Sequence, residues 1–266
     1  MDEVARYNTE RWKALDEVEA VFTRPNLDQT AESAARYVNK GGRLGDLAGK
    51  DVLCLASGGG QQSAAFGLLG ANVTVVDLSP AQLAKDKLIA EHYKLPIKTV
   101  QGDMRDLSAL EADSFDVVFH PHSLDFVPDE GVVFEQVARV LRAGGIYYFD
   151  CTNPFYAGGS EEDWNGEGYL RKHPYRASQM IEVPDSDWTY DRSKHPGANV
   201  PPTRIYTRSF SQMINNLFDL GFTLFHVDDW HAVQPDPDAD PGTFAHFVSV
   251  TPPWMSYWLR YAPERS

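Results

Sequence analysis

Cysteine is scarce in this chain: Cys54 and Cys151 are the only two in 266 residues. Both fall in apolar runs that read as strands. Two such residues cannot build a disulfide framework, and they suit small buried side chains in a reducing compartment. Long apolar runs are missing as well. Nothing approaches the ~20 apolar residues of a membrane span. The N-terminal stretch MDEVARYNTERW is charged where a signal peptide would be apolar. A cytoplasmic protein with no membrane partner is expected. Basic charge is also in deficit, with 24 Lys and Arg against 38 Asp and Glu and a formal net charge of −14. Phosphate backbones are held by lysine and arginine, so this balance argues for no nucleic-acid partner. It suits a solvated surface, or a field that favours cationic substrates. Internal repeats and low-complexity segments are absent from the sequence.

What is present centres on Asp51 to Asp77, DVLCLASGGGQQSAAFGLLGANVTVVD. Val52 to Leu55 form the short apolar run of a strand covered on both faces. Ser57-Gly58-Gly59-Gly60 is a turn without side chains to keep a ligand from the backbone. Gln61 to Leu69 reads as a helix whose free N–H groups point back at that turn. Val73 to Val76 is a second strand, and Asp77 stands at its carboxyl end, where open α/β sheets bind ligands. An acid there suits the two ribose hydroxyls of an adenosine ligand.

The pattern continues in both directions. Asn8 caps an N-terminal helix carrying Trp12, Leu15, Val18 and Phe22, and Ala31, Ala34, Ala35 and Val38 mark a second helix. Ser79-Pro80-Ala81-Gln82 reads as a capping box opening a helix to about Tyr93. Strands follow at Ile97–Gln101, Phe115–Phe119 and Ile146–Phe149, with a helix carrying Val133, Val137 and Val140 before the last of them. Strands alternating with helices at this pitch predict an α/β fold with a doubly wound, mostly parallel sheet. Residues 155–207 are irregular and rich in aromatics, too long for an ordinary loop, and read as an inserted substrate cap beside the carboxyl edge. Residues 208–251 supply a helix over Phe210–Phe218 and a hairpin of Phe222–Val227 with Thr243–Val250. In the tail, 252–266, Trp254, Tyr257, Trp258 and Tyr261 are spaced as on one helical face.

The glycine turn admits two cofactor classes. The dinucleotide fingerprint G-x-G-x-x-G requires glycine where this chain has Ser63. The same stretch resembles motif I of the class I S-adenosylmethionine-dependent methyltransferases, acid-x-G-x-G-x-G, with Cys54 in place of the acid and Ala56 in place of the first glycine. Gly102-Asp103-Met104, the Asp116 of an "FDVV" run and Leu141-Arg142-Ala143-Gly144-Gly145 match further family motifs in order. Together they cover roughly residues 50–154 and look like the type 11-like methyltransferase domain. The resemblance implies a Rossmann-like core over 49–154, seven strands in all, and S-adenosyl-L-methionine as cofactor. Its contacts would be Ala56, Ser57, Gly58, Gly60, Asp77, Leu78, Gly102, Asp103, Met104 and His120. It also implies that residues 1–48 fold over the cofactor as a helical lid, with Tyr7 and Trp12 as cover residues.

Methyl transfer to a free amine or thiolate requires no catalytic group, whereas a hydroxyl or ammonium acceptor requires a base near neutral pH. His122 and His120, after the fourth strand, are the catalytic candidates; alternate residues in extended chain face opposite ways, so one is expected to face the site, and His122 is preferred. Asp125 and Asp150 lie near the same edge and can orient a base or bind a cationic acceptor. Asn153, Trp164 and Trp188 are candidate substrate residues. The pair His120/His122 lacks nearby third and fourth ligands, so no metal is expected. The sequence thus reads as an enzyme acting on a small-molecule O or N acceptor. A protein or nucleic-acid methyltransferase, a non-catalytic adenosine-ligand sensor, a nicotinamide dehydrogenase and a homodimer all stay open.

Overall fold

The computed structural model describes residues 1–176, 178–185, 188–229 and 234–263. Two helices, α1 (Glu3–Glu17) and α2 (Ala31–Val38), precede the sheet. The core then runs β1 (Asp51–Leu55), α3 (Gln61–Leu68), β2 (Asn72–Asp77), α4 (Pro80–Tyr93), β3 (Lys98–Gln101), β4 (Phe115–His120), α5 (Glu130–Val140) and β5 (Leu141–Thr152). A hairpin of β6 (Met180–Val183) and β7 (Thr203–Tyr206) stands apart from the sheet. The chain closes with α6 (Phe210–Asp219), β8 (Phe222–Asp228), α7 (Phe244–Val250) and β9 (Trp254–Tyr261).

The seven-stranded sheet has the order β3-β2-β1-β4-β5-β9-β8, parallel from β3 to β5 and antiparallel where β9 joins β5 and β8. Val52 to Leu55 are fully buried because helices cover both faces of β1. On one face Leu53, Leu55 and Val118 pack with Val133, Val137, Met213 and Leu217. On the other, Val52, Cys54 and Val117 pack with Ala34, Val38 and Phe66. Strand order reverses at β1, which has the parallel strands β2 and β4 on either side, so the carboxyl ends of β1, β2 and β4 open onto one crevice.

Three local readings are corrected. The first helix begins at Glu3, capped by the Asp2 carboxylate accepting the Ala5 N–H, and Asn8 lies inside it with its amide on the Phe126 carbonyl. Thr243–Val250 is not a strand: Thr243 caps a helix that buries Phe247 and Val248. The tail is not helical but is β9, the strand beside β5. Tyr257 and Leu259 fill one core and Trp258 the other. A strand buried on both faces shows a continuous apolar run, and its spacing does not separate it from a helix.

α1 is held from several sides. Arg105 pairs with Asp2, Lys85 of α4 with Asp16, and Arg11 with Asp185 beyond β6. The Arg204 guanidinium of β7 lies 3.8 Å from the Tyr7 ring centroid, and the Tyr7 hydroxyl donates to Pro202. α1 is therefore tied both to the core and to residues 185–204.

Candidate active site

The turn after β1 is shaped by what surrounds it. A Cβ at Gly58 would stand 2.6 Å from the Gln82 Cβ and 2.8 Å from Asp77 Oδ2, so only glycine fits. Gly59 and Gly60 take φ of 112° and 82°, and Ala56 is held at φ 45°, in the region that disfavours a side chain. The Gly58 N–H donates to Asp77 Oδ2 and the Ser79 N–H to Oδ1, each at 2.8 Å. Burial pushes the Asp77 pKa up, and the N–H groups of Ser79, Gly58 and Leu78 work against that shift.

Ala56, Gly58, Asp77, Leu78, Gly102, Asp103 and Met104 line one pocket, with Trp12, Asn8 and Ala5 of α1 closing it from above. Ser57 is buried beside this pocket, and Gly60 turns away, its α-carbon against Ile89 of α4. Trp12 meets Phe22 and Phe126 edge-on, while Tyr7 faces β7 instead. Asp103 is engaged by Arg105, whose Nη2 lies 2.7 Å from Oδ2, and the same guanidinium grips Asp2. Arg105 thus links Asp103, the acid expected beside an adenine ring, to the N-cap of α1.

The histidines after β4 have different surroundings. His120 is sealed in the core, with Nδ1 2.9 Å from the Tyr147 hydroxyl. Burial pushes its pKa down to about 3, so the ring is neutral. Neither His120 nor His122 is among the residues that line the cofactor pocket, and full burial places His120 with the core histidines. His122 sits at φ 52°, and both its backbone N–H and its Nδ1 lie 2.7 Å from Asp150 Oδ1. The Tyr148 hydroxyl donates to the other carboxylate oxygen at 2.6 Å. Nδ1 is enclosed, yet 43% of the side chain is exposed, with Trp254 of β9 edge-on at 4.8 Å. Loss of solvation works against the charged ring, but the charge and hydrogen bond of Asp150, with Asp125 behind, hold the His122 pKa above its ordinary value. With Nδ1 2.7 Å from Asp150 Oδ1, Nε2 is the ring nitrogen that remains to accept a proton. Arg208 fixes this loop by donating to the carbonyls of Leu124 and Val127.

The remaining candidates disperse. Asn153 is buried, its amide donating to Pro252 and its carbonyl accepting the Phe155 N–H, so it anchors the start of the insertion. Trp164 packs with Tyr169 and His246. Trp188 is 68% exposed on a surface shared with Val21, Arg24 and Tyr190. Neither tryptophan touches His122 or the cofactor pocket.

Sequence reasoning missed Asp86. This α4 carboxylate is fully buried beneath the glycine turn, where it accepts the Gly59 N–H at 3.2 Å and the Ser63 hydroxyl. Burial raises its pKa to about 7, against the bonds from Ser63 and Gly59. The available signal was its position between Leu83 and Ile89 on the buried face of α4. Trp254 was missed because the tail was read as a helix.

Known proteins resemble this arrangement. Residues 53–149 match the methyltransferase domain family. The uncharacterized methyltransferase YbaJ of Bacillus subtilis is 46% identical over 108 residues, covering 41% of this chain and 42% of that protein. A ubiquinone biosynthesis O-methyltransferase of Xanthomonas oryzae is 33% identical over 108 residues, 41% of this chain and 45% of its own length. The match thus spans less than half the length of these curated relatives. Among solved structures, a putative S-adenosylmethionine-dependent methyltransferase from Listeria monocytogenes superposes with a TM-score of 0.62 at 19% identity, covering 88% of this chain and all of that one. One from Mesorhizobium loti gives 0.57 at 21% identity, covering 88% and 100%. Residues 53–149 thus match the methyltransferase domain family, and the chain shares its fold with solved S-adenosylmethionine-dependent methyltransferases.

Proposed function

We propose that the whole chain is an S-adenosylmethionine-dependent methyltransferase that acts on the hydroxyl of a small-molecule acceptor, with His122 as its base. The observation that carries this reading is the Asp150-bound imidazole, whose Nδ1 is enclosed and whose ring is otherwise open. The O-methyltransferase name of a relative supports the same acceptor atom. The residues suit an adenosine cofactor: Gly58 allows close backbone approach, and Asp77 offers acceptors to a ribose. When bound, that cofactor supplies a methyl group on a positively charged sulfur.

The chain's own part is to hold the acceptor in line, exclude water and take a proton. His122 Nε2 receives the hydroxyl proton while Asp150 stabilises the imidazolium that forms. Trp254 offers an apolar wall beside the ring. The test is methyl transfer from labelled donor to a panel of small phenols and alcohols, across pH. The parent's rate should rise through a pKa above about 6.5, the ordinary histidine value. His122→Asn should lower turnover about 10²–10⁴-fold with cofactor affinity unchanged. An Asn variant as fast as the parent would remove His122 from the chemistry.

A further inference from the structure

We propose that Gln82 is a cofactor-binding residue, its carboxamide donating a hydrogen bond to a ribose hydroxyl that Asp77 accepts from. Gln82 is 2% exposed, and neither Oε1 nor Nε2 has a hydrogen-bond partner among the described residues. A buried carboxamide with both halves unpaired is costly unless a ligand completes it. The side chain lines the same pocket as Asp77.

The local sequence explains how the amide comes to be free. In a reciprocal capping box the Gln82 side chain would accept the Ser79 N–H. Here that N–H donates to Asp77 Oδ1, while the Ser79 hydroxyl still accepts the Gln82 N–H at 3.4 Å. Asp77 has taken the role of the box glutamine, and the Gln82 amide is released toward the turn. The position a Gly58 Cβ would fill lies 2.6 Å from the Gln82 Cβ and 2.8 Å from Asp77 Oδ2, so the two side chains stand together over that glycine. Gln82 Oε1 rests against Gly59, 3.0 Å from where its Cβ would stand.

The pairing is complementary. A ribose hydroxyl both donates and accepts, whereas a carboxylate only accepts. Asp77 takes the hydroxyl proton, and the Gln82 amide N–H fills the oxygen lone pair that Asp77 cannot serve. An apolar residue at 82 would fill the space and leave that lone pair unmet.

This inference rests on the cofactor reading above, and calorimetry with S-adenosylhomocysteine and its 2′-deoxy and 3′-deoxy analogues separates the two. The parent should bind S-adenosylhomocysteine, and Gln82→Met, which keeps volume, should weaken binding about five- to thirtyfold. For one of the deoxy analogues the parent and Gln82→Met should bind alike, since the hydroxyl in question is gone. Gln82→Leu should repeat the pattern, and both variants should melt no lower than the parent without ligand. A parent that binds no S-adenosylhomocysteine overturns the cofactor reading and this inference with it. Undiminished binding by Gln82→Met overturns the inference alone, as does an equal loss on both deoxy analogues, which would mark a packing role.

Discussion

Asp86 has a price attached to its charge. Its pKa is raised to about 7 in the fold, against about 3.9 for an unfolded aspartate, so the folded state holds the proton more tightly between those values. Stability from this group therefore falls as pH rises from 4 toward 7, and the whole deficit is present above 7. Asp86→Asn keeps the shape and removes the charge. At pH 8 it should raise stability by about 1–2 kcal/mol, or roughly 2–8 °C in Tm, and the gain should vanish below about pH 4. Asp150 has the opposite effect on its neighbour, since its charge helps to keep His122 protonated. Asp150→Asn should lower the His122 pKa, an acidward shift visible by NMR of the ring protons, and should move the acid limb of activity with it. A His122 titration unmoved in this variant would mean that Asp150 does not set the charge of the ring. In both cases the residue types were readable from the sequence. Asp150 was among the two acids expected to orient a base, whereas the Asp86 partner was not readable, because Gly59 lies 27 positions away.

At the scale of elements, the core was legible wherever a strand carried its own turn chemistry. β1 runs into the glycine turn, β2 ends on Asp77 at the crevice, and α4 opens on Ser79-Pro80. α1 was misplaced because Asp2 caps it from the second residue, while Asn8, a good cap by type, is turned to Phe126. The use of Arg105 could not be foreseen, since its two carboxylate partners stand two and 103 residues away. That arginine makes a firm statement about α1. Arg105→Gln releases Asp2 from the sheet and leaves the Ala5 cap in place. Amides in the first turn of α1 should then exchange with deuterium about three- to tenfold faster, with the centre of the sheet unaffected. Unchanged exchange there would mean that Lys85 and the β6–β7 side hold the helix without Arg105.

For the molecule as a whole, the sheet, α1 and the 155–207 segment meet through several ties, and the most enclosed ion pair among them is Arg11 with Asp185. Their side chains are 7% and 12% exposed, and Arg11 also donates to the Pro201 carbonyl. Removing one partner of an enclosed pair leaves the other charge uncompensated, which costs far more than a surface bridge is worth. Arg11→Met should therefore lower stability by about 2–4 kcal/mol. Because Ala5, Asn8 and Trp12 of the same helix close the cofactor pocket, S-adenosylhomocysteine affinity should fall too. In the parent, ligand at 100 times its Kd should add about 2.7 kcal/mol, roughly 5–11 °C in Tm for a chain of this size. Arg11→Met should lose part of that shift at the same ligand concentration. Trp188→Ala, on the open side of the insertion, should keep all of it. If the two variants lose the ligand shift equally, the insertion governs the cofactor pocket through more of its surface than the Arg11 tie. If neither loses any, α1 closes the pocket without help from the insertion, and the tie serves stability alone.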